Sequence, residues 1–277
     1  MGNLYGVIGC PISHSMSPDI HNLAFTTLNI DSYYKAFHIE PSQLAEAVEA
    51  MRLLEIKGYN VTIPHKVSII PYLDELDVTA QIAGAVNTVV NVDGKLIGHN
   101  TDGNGYKRSL EEMLLKPLQD NKILIIGAGG AAGGIYYTLA HYGCRNIDIT
   151  NRTLQTAEKL IEDCPYENNS TALSLLNAEA QLGHYDVVIQ TTAVGLYPNI
   201  NEQPISVKNA KGSAIISDIV YNPIKTAFLK EAEQLGLTIH NGVGMFVHQA
   251  AIAFELWTGQ KPPLNEMAKV VHDKLGG

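Results

Sequence analysis

The chain has 277 residues, of which 45% are hydrophobic and 17% are charged, and its formal net charge is −9. This composition is that of a globular protein long enough for two domains, and the negative charge argues against nucleic acid as a partner. No apolar run reaches the roughly 18–20 residues that span a bilayer, and the N-terminus lacks the basic start of a signal peptide. Cys10, Cys144 and Cys164 show no metal-ligand spacing, so we expect free thiols in a reducing cytoplasm and no bound metal.

The first hundred residues alternate between strand and helix patterns. Hydrophobic periodicity predicts strands over 5–9, 31–39, 58–63, 86–91 and 95–99. The last two strands are joined by Asp93-Gly94, a pair typical of a type I′ hairpin turn. Helices are predicted over 18–28, 41–54 and 65–73, and the buried face of the second is expected to carry Leu44, Val48, Met51 and Leu54.

Polar residues follow several of these strands. Ser15 and Ser17 precede the first helix. Ser17 is a good N-cap for this helix, whereas capping does not account for a serine at position 15. Lys66 comes just after the third strand, and a lysine is unfavourable at a helix N-terminus, which favours a functional role over a solvated one. Asp102 follows the hairpin before a helix predicted over 106–115. From the sequence, Asp102 can have either a role in the active site or a role as the N-cap of this helix, and both alternatives stay open.

Residues 122–153 carry a dinucleotide-binding pattern. Four apolar residues at 123–126 predict a strand that is buried on both faces. Gly-Ala-Gly-Gly at 127–130 then allows close approach of a ligand to the backbone, and a helix is predicted over 131–141. A second strand is predicted over 146–150. A strand, a glycine turn and a helix N-terminus in this order form a site for a pyrophosphate.

The end of the second strand indicates which dinucleotide is bound. An NAD site usually has Asp or Glu at this position to accept from the ribose 2′-hydroxyl. Here the chain has Asn151, Arg152 and Thr153, without a carboxylate. The guanidinium of arginine offers a planar fork of donors to phosphate oxygens. The sequence therefore predicts NADP as the cofactor. This interpretation is preferred to the alternative, in which residues 151–153 form an ordinary solvated loop.

The rest of the chain continues the strand and helix alternation. Strands are predicted over 186–190, 214–219 and 237–240, and a short strand or turn near 174–176. We assign Thr191 and Ile219, at the carboxyl ends of two of these strands, to the cofactor edge of the sheet. Helices are predicted over 154–162, 226–234, 245–257 and 262–275. The fold class is therefore α/β.

Eight motifs together resemble the shikimate dehydrogenase family. They occur in order along nearly the whole chain, and the set is specific although each motif alone is weak. The motifs lie at residues 11–18 (Pro-Ile-Ser-His-Ser-Met-Ser-Pro), 60–66 (Asn-Val-Thr-Ile-Pro-His-Lys), 84–88 (Gly-Ala-Val-Asn-Thr), 100–103 (Asn-Thr-Asp-Gly), 127–131 (Gly-Ala-Gly-Gly-Ala), 151–153 (Asn-Arg-Thr), 218–223 (Asp-Ile-Val-Tyr-Asn-Pro) and 244–249 (Gly-Met-Phe-Val-His-Gln).

The resemblance implies NADPH-dependent reduction of 3-dehydroshikimate to shikimate, on the route to chorismate and the aromatic amino acids. It implies Lys66 and Asp102 as the catalytic pair. The substrate-binding residues that it implies are Ser15 and Ser17 for the carboxylate, Thr62, Asn87 and Gln249 for the ring hydroxyls, and Tyr221 to close the pocket. The cofactor-binding residues that it implies are Gly127, Ala128, Gly129, Gly130 and Ala131 for the pyrophosphate, with Gly242 and Met245 near the nicotinamide.

A domain plan also follows from the resemblance. Residues 1–102 and 240–277 are expected to form a discontinuous α/β substrate-binding domain. Residues 103–239 are expected to form a Rossmann-type, doubly wound NADP-binding domain, with the active-site cleft between the two domains. We expect a cytoplasmic monomer or homodimer that binds neither nucleic acid nor membrane.

Two departures from the family pattern and three alternatives are notable. Gln155 and Thr156 occupy positions where many members have a second basic residue, and Gln190 replaces a common Asn. The first alternative is a dehydrogenase of quinate, or of both quinate and shikimate, which could use NAD in place of NADP; Ser15, Ser17 and Arg152 argue against it. The second is a non-catalytic dinucleotide sensor, which would not need both Lys66 and Asp102. A methylene-tetrahydrofolate dehydrogenase is a distant third.

Overall fold

The computed structural model describes residues 2–276. The chain forms two compact units, of which the first contains the residues up to Gly105 together with Val247–Lys274. The second contains Tyr106–Phe246 and the last residues from Leu275. Among the helices of residues 2–276, none combines the length and the apolar character needed to cross a bilayer.

The first unit is built on a mixed six-stranded sheet. The strand order is β2-β1-β3-β5-β6-β4. The strands are β1 (Asn3–Gly9), β2 (Ser32–His38), β3 (Gly58–Val61), β4 (Glu75–Leu76), β5 (Thr88–Val92) and β6 (Lys95–His99). The helices are α1 (Ser17–Thr27), α2 (Leu44–Leu53), α3 (His65–Ser68), α4 (Val78–Ala83) and α11 (Leu264–Leu275). The divisions between the units fall within α5 (Asp102–Glu111), within α10 (Gly242–Thr258) and at the last residue of α11.

The α2 helix covers one face of this sheet. Leu44, Val48 and Met51 are buried, as their helical spacing predicts. The prediction for Leu54 is wrong, because the helix ends at Leu53 and Leu54 is 69% exposed. The Asp93-Gly94 turn between β5 and β6 has φ angles of 51° and 89°. Two positive φ angles are what a type I′ turn requires, so that prediction is confirmed.

Trp257 of α10 packs on the same sheet. A Cβ on Gly58 would lie only 2.1 Å from Trp257 Nε1, so β3 can accept the indole only because residue 58 is glycine. The indole N–H donates to the Val89 carbonyl oxygen at 3.0 Å. Trp257 also contacts the ring of Tyr5, with 5.3 Å between centroids. These contacts attach the C-terminal part of the chain to a sheet formed by the N-terminal part.

The second unit is built on a six-stranded parallel sheet with the order β12-β11-β10-β7-β8-β9. Its strands are β7 (Ile123–Ile126), β8 (Ile147–Thr150), β9 (Ala172–Leu173), β10 (Val187–Gln190), β11 (Ile215–Asp218) and β12 (Thr238–His240). Its helices are α6 (Gly130–His141), α7 (Leu154–Glu162), α8 (Leu175–Ala180) and α9 (Ala227–Gln234). Counted from β7, the strand order is 3-2-1-4-5-6, which is the Rossmann order.

The central strand β7 is buried on both faces. Ile123 and Ile125 belong to a core cluster with residues of α6 and α7. Leu124 and Ile126 belong to a second core cluster with residues of α8 and α9. Alternate side chains of a strand point to opposite faces, so a continuous apolar run fills both clusters. The prediction from residues 123–126 is therefore confirmed.

Candidate active site

Lys66 and Asp102 form an ion pair, although 36 positions separate them in the chain. Lys66 Nζ lies 2.6 Å from Asp102 Oδ2, and the two side chains are 31% and 22% exposed. Sheet topology explains the approach. The antiparallel pairing of β3 with β5 aligns Asn60 with Thr88, and that of β5 with β6 aligns Thr88 with His99. Lys66, Asn87 and Asp102 lie just beyond this row of aligned residues.

Asn87 holds the other oxygen of the carboxylate. Its Nδ2 donates to Asp102 Oδ1 at 2.8 Å and to Thr101 Oγ1 at 2.9 Å. Its Oδ1 accepts from the Thr101 backbone N–H at 2.8 Å. Asn87 is 3% exposed, so these bonds form away from bulk water and fix the amide plane. The Asp102 carboxylate is thus bound on one oxygen by an ammonium and on the other by an amide.

The capping role considered for Asp102 is not observed. Residue 102 is the first residue of α5, and its backbone N–H donates to Asn100 Oδ1 at 3.0 Å. Asn100 therefore provides the side-chain acceptor at this helix start. The carboxylate of Asp102 is directed instead to Lys66 and Asn87, and an acidic group in the first turn also suits the helix dipole.

The structure reverses the capping roles predicted for the two serines. Ser17 is not an N-cap, because α1 begins at Ser17 itself and residue 16 occupies the cap position. The hydroxyl of Ser15 accepts from the Ser17 backbone N–H at 3.3 Å. Ser17 is buried, with 7% of its surface exposed. The Tyr34 phenol donates to Asn60 Oδ1 at 2.7 Å.

Thr62 and Gln249 belong to the same unit as Lys66. The Thr62 backbone N–H donates to the Ile8 carbonyl at 3.0 Å, which places it at the carboxyl ends of β1 and β3. Gln249 lies on α10, where its backbone packs against Gly105; a Cβ on Gly105 would lie 2.6 Å from Gln249 N. Seven predicted residues therefore lie in the first unit: Ser15, Ser17, Thr62, Lys66, Asn87, Asp102 and Gln249.

The glycine turn after β7 has the geometry of an anion-binding loop. Gly127 has a φ of 115°, and a Cβ there would lie 2.5 Å from Thr191 Oγ1. Gly129 and Gly130 face open space, with no atom within 4 Å of an added Cβ. An approaching phosphate would find the exposed backbone N–H groups at the start of α6. The residues present therefore fit a pyrophosphate group.

Residues 151–153 lie at the same edge of the sheet. The Gly127 backbone N–H donates to the Thr150 carbonyl at 2.7 Å, so the glycine turn adjoins the end of β8. Asn151 Nδ2 donates to the Thr153 carbonyl at 3.0 Å and shapes the turn. Arg152 is exposed, and within residues 2–276 no carboxylate pairs with it. Its guanidinium is therefore available to an anionic ligand.

The remaining cofactor-site candidates line up along the carboxyl ends of β7, β10 and β11. The Thr191 hydroxyl donates to the Ile126 carbonyl at 2.7 Å, and the Ile219 backbone N–H donates to the Gln190 carbonyl at 3.1 Å. Gly242 lies so close to Ile219 that a Cβ would be 2.2 Å from its carbonyl oxygen. Met245 packs at the edge of the core cluster of α6 and α7. Tyr221, also in the second unit, stacks on Phe246 at 5.1 Å.

Asp218, the first residue of the motif at 218–223, has a structural role. Burial raises the pKa of this carboxyl to about 6, although hydrogen bonds from Thr226 and Val220 favour the charged form. Its Oδ2 accepts from the Thr226 hydroxyl at 2.6 Å, and Thr226 caps α9. Its Oδ1 accepts from the Val220 backbone N–H at 2.9 Å. Asp218 therefore shapes the segment that carries Ile219 and Tyr221.

Comparison with known proteins identifies the family. A chain of Geobacillus sp. (strain WCH70) called "Shikimate dehydrogenase (NADP(+))" is 52% identical over 277 residues, which cover 100% of both chains. The chain belongs to the shikimate dehydrogenase family. A Bacillus subtilis (strain 168) chain with the same name is also 52% identical, over 100% of this chain and 99% of its own length.

Family profiles and a solved structure agree with this assignment. Residues 7–89 match the shikimate dehydrogenase substrate binding domain, residues 109–223 match shikimate / quinate 5-dehydrogenase, and residues 242–272 match the shikimate 5'-dehydrogenase C-terminal domain. A crystal structure of a shikimate dehydrogenase in complex with NADP+ superposes with a TM-score of 0.91 at 38% identity. That alignment covers 99% of this chain and 96% of the other.

In this shikimate dehydrogenase family member, several supporting residues were not found from the sequence. Asn60, Thr88 and Thr101 are buried and link Tyr34 to the Asn87 amide through hydrogen bonds. Polar residues inside apolar strand patterns are the signal that could have identified them. Gln190, which replaces a common Asn, is fully buried and donates to the carbonyls of residues 192 and 194 at 3.1 and 2.9 Å. It therefore holds the turn that carries Thr191.

Proposed function

We propose that the protein catalyses the reversible NADPH-dependent reduction of 3-dehydroshikimate to shikimate, a step in aromatic amino acid biosynthesis. The Lys66–Asp102 pair at 2.6 Å carries the proposal, because the reaction needs a proton at the ketone oxygen. The full-length relatives that are 52% identical carry the name of this NADP-dependent enzyme. Their names favour shikimate over quinate as the substrate.

Lys66 is the proposed proton donor in reduction. NADPH, when bound, supplies the hydride, and the ketone oxygen then gains negative charge. The Lys66 ammonium gives a proton to that oxygen in reduction and takes one from the hydroxyl in oxidation. Asp102 orients the ammonium through the 2.6 Å bond, and the Asn87 amide holds the carboxylate in place.

The substrate is proposed to bind through the polar groups of the first unit. Ser15 and Ser17 are assigned to the carboxylate of shikimate, and Thr62, Asn87 and Gln249 to its ring hydroxyls. Hydroxyl and amide groups suit this ligand because they can donate to a carboxylate and exchange hydrogen bonds with alcohols. Tyr221 is assigned to closing the pocket.

The cofactor is proposed to bind through the second unit. The pyrophosphate is assigned to residues 127–131, and the 2′-phosphate to Arg152 with Asn151 and Thr153. Thr191, Ile219, Gly242 and Met245 are assigned to the remainder of the dinucleotide. Positions 155 and 156 are Gln and Thr, where many family members have a second basic residue, so Arg152 is the one charged residue assigned to the 2′-phosphate. Arg152 should therefore dominate the choice of NADP over NAD.

Residues 1–102 with 240–277 are proposed as the substrate-binding domain, and residues 103–239 as the NADP-binding domain. We further propose a cytoplasmic monomer or homodimer. The three free cysteines are in keeping with a reducing compartment. The net charge of −9 disfavours nucleic acid as a partner.

Absorbance at the NADPH band tests the proposed function directly. The purified protein is assayed with shikimate or quinate as the alcohol and with NADP or NAD as the oxidant. We expect the highest kcat/KM with shikimate and NADP. A higher kcat/KM with quinate would support the quinate alternative, and binding of NADP without turnover of either alcohol would support a sensor.

A further inference from the structure

Cys10, His38 and Glu40 form a compact side-chain cluster outside the residues assigned to catalysis. Cys10 Sγ lies 3.7 Å from His38 Nε2 and 3.4 Å from Glu40 Oε2. His38 Nε2 lies 2.9 Å from Glu40 Oε1. The potential ligand atoms all lie within 4.8 Å of one another. The three residues therefore present a thiol, an imidazole nitrogen and a carboxylate oxygen to one point.

Parallel strand pairing brings these residues together. The pairing of β1 with β2 places Gly9 opposite His38, and the Ile39 backbone N–H donates to the Gly9 carbonyl at 3.2 Å. His38 and Glu40 are two positions apart in an extended segment, so their side chains lie on the same side. Cys10 follows the end of β1 next to them. Separations of 28 and 30 positions along the chain hide this cluster from any search for metal-ligand spacing.

The separation between sulfur and the imidazole nitrogen agrees with that of a tetrahedral zinc site. Bond lengths of about 2.3 Å to sulfur and about 2.0–2.2 Å to nitrogen and oxygen imply ligand separations of about 3.6 Å from sulfur and about 3.4 Å between nitrogen and oxygen. Cys10 Sγ lies 3.7 Å from His38 Nε2 and 3.4 Å from Glu40 Oε2, and the 2.9 Å separation joins His38 Nε2 to the other carboxylate oxygen, Glu40 Oε1. For a single oxygen of Glu40 the ligand atoms lie within 4.8 Å of one another, so a rotation of the carboxylate that brings one oxygen to both partners would complete the geometry. Both side chains are about half exposed, at 51% and 54%, and are free to make this adjustment.

We propose that Cys10, His38 and Glu40 bind a divalent cation of the zinc class. The ligands are Cys10 Sγ, His38 Nε2 and one carboxylate oxygen of Glu40, and a water molecule takes the fourth position. One thiolate and one carboxylate neutralise the two positive charges of the ion. Binding forms the metal–sulfur bond and releases the thiol proton to solvent. Thiolate with imidazole selects zinc-class ions over Mg²⁺ and Ca²⁺, which prefer oxygen ligands.

The cluster of Cys10, His38 and Glu40 adjoins the segment assigned to substrate binding. Cys10 directly precedes residues 11–18, which carry Ser15 and Ser17. An ion bound to Cys10 would tie the start of this segment to the end of β2. We therefore expect zinc to slow hydrogen–deuterium exchange of backbone amides in residues 12–16.

Cobalt and zinc titrations of the full-length, chelator-treated protein test the site. Co²⁺ bound to a thiolate gives a sulfur-to-cobalt charge-transfer band in the near ultraviolet, and zinc affinity is measured by competition with a chromophoric chelator. We expect one ion per chain and a charge-transfer band in the wild-type protein. Cys10→Ser should abolish the band and His38→Gln should weaken zinc binding at least about tenfold.

Matched substitutions elsewhere in the chain control for unspecific binding. Cys164→Ser removes a partly exposed thiol and His184→Gln an exposed imidazole, both in the second unit. These two variants should bind cobalt and zinc like the wild type. The proposal is overturned if wild-type protein shows no charge-transfer band, or if zinc affinity is the same in Cys10→Ser and His38→Gln as in the wild type. Melting curves establish that each variant is folded before titration.

Discussion

Asn87 Nδ2 donates to Asp102 Oδ1 at 2.8 Å, while Lys66 Nζ lies 2.6 Å from the other oxygen of the same carboxylate. Asn87 therefore holds the Asp102 carboxylate in place, and the carboxylate in turn orients the Lys66 ammonium. The resemblance to the family assigns Asn87 to a substrate hydroxyl, but both N–H bonds of its amide already have protein acceptors. Its contribution to the site should accordingly be visible in turnover as well as in substrate affinity.

Asn87→Asp tests this positioning role. The substitution replaces two N–H donors by acceptors and puts a second carboxylate beside Asp102. Loss of a hydrogen bond to a charged group costs about 1.5–3 kcal/mol, which corresponds to about 10–150-fold in rate. We expect steady-state kinetics to show a fall in kcat of this size.

Asn91→Asp is the matched control for that variant. Asn91 lies on the same strand, β5, and its amide donates to the Ile56 carbonyl at 3.0 Å, away from Lys66 and Asp102. Its kcat should stay close to that of the wild type. An Asn87→Asp enzyme with normal kcat and a raised KM for shikimate would mean that Asn87 acts on the substrate alone.

Arg152→Ala tests the choice of cofactor. The KM for NADP should rise far more than the KM for NAD, because about 1.5–3 kcal/mol of charged hydrogen bonding to the 2′-phosphate is lost. Arg145→Ala is the control, since Arg145 is exposed in the same unit and pairs with Glu167 at 2.7 Å. Equal losses with NADP and NAD in Arg152→Ala would rule out recognition of the 2′-phosphate by this residue.

Ser15→Ala and Ser17→Ala test recognition of the substrate carboxylate. Isothermal titration calorimetry should show weaker shikimate binding for both variants and unchanged NADP binding. Ser13→Ala, an exposed serine of the same segment, should bind shikimate normally. Ser15→Ala should lower the melting temperature, because the Ser15 hydroxyl accepts from the Ser17 backbone N–H at the start of α1. Normal shikimate affinity in both variants would place the carboxylate elsewhere.

The sequence predicted the Rossmann-type unit well because its signals are local. The apolar run at 123–126 and the glycine turn after it are contiguous, and the structure has β7 at Ile123–Ile126 and α7 at Leu154–Glu162, as predicted. Burial on both faces leaves a continuous apolar run, which a sequence displays directly. The type I′ turn at Asp93-Gly94 was predictable for the same reason, since two adjacent residues determine it.

Short elements and capping assignments were predicted less well. Strand β4 has two residues and helices α4 and α8 have six each, too few for a periodic pattern to emerge. Ser17 was predicted as a cap because its residue type suits one, but α1 begins at Ser17 itself and residue 16 occupies the cap position. The Lys66, Asn87 and Asp102 contacts also depend on the antiparallel pairing of β3 with β5, which no local pattern specifies.

His21 should make stability depend on pH. Burial lowers the pKa of this histidine to about 3, and neither ring nitrogen has a hydrogen-bond partner in the part of the chain that the structure describes. Its ring stacks on Tyr34 at 4.4 Å. The folded protein therefore keeps His21 neutral while the unfolded chain takes up a proton below pH about 6.5. The contribution of His21 to the free energy of unfolding should fall by about 1.4 kcal/mol per pH unit as pH decreases from about 6 toward about 3.

Denaturant unfolding of His21→Phe between pH 7.5 and pH 4.5 measures this contribution. Phenylalanine keeps the aromatic packing and cannot be protonated, so the variant should lose less stability on acidification than the wild type. The difference between them should grow to about 2–3 kcal/mol at pH 4.5. His184→Gln, at an exposed position, should follow the wild type. Parallel pH profiles for wild type and His21→Phe would show that His21 is protonated in the folded protein.

The turnover of Lys66→Ala, Asp102→Asn and the double variant, at saturating shikimate and NADP, tests the proposed chemistry most directly. If the ion pair transfers the proton, each single substitution should lower kcat by about 10²–10⁴-fold. The double variant should be little slower than the slower single variant, because the two residues act as one unit. A kcat within a few-fold of the wild type for Lys66→Ala, with Asp102→Asn changing only the melting temperature, would contradict the account.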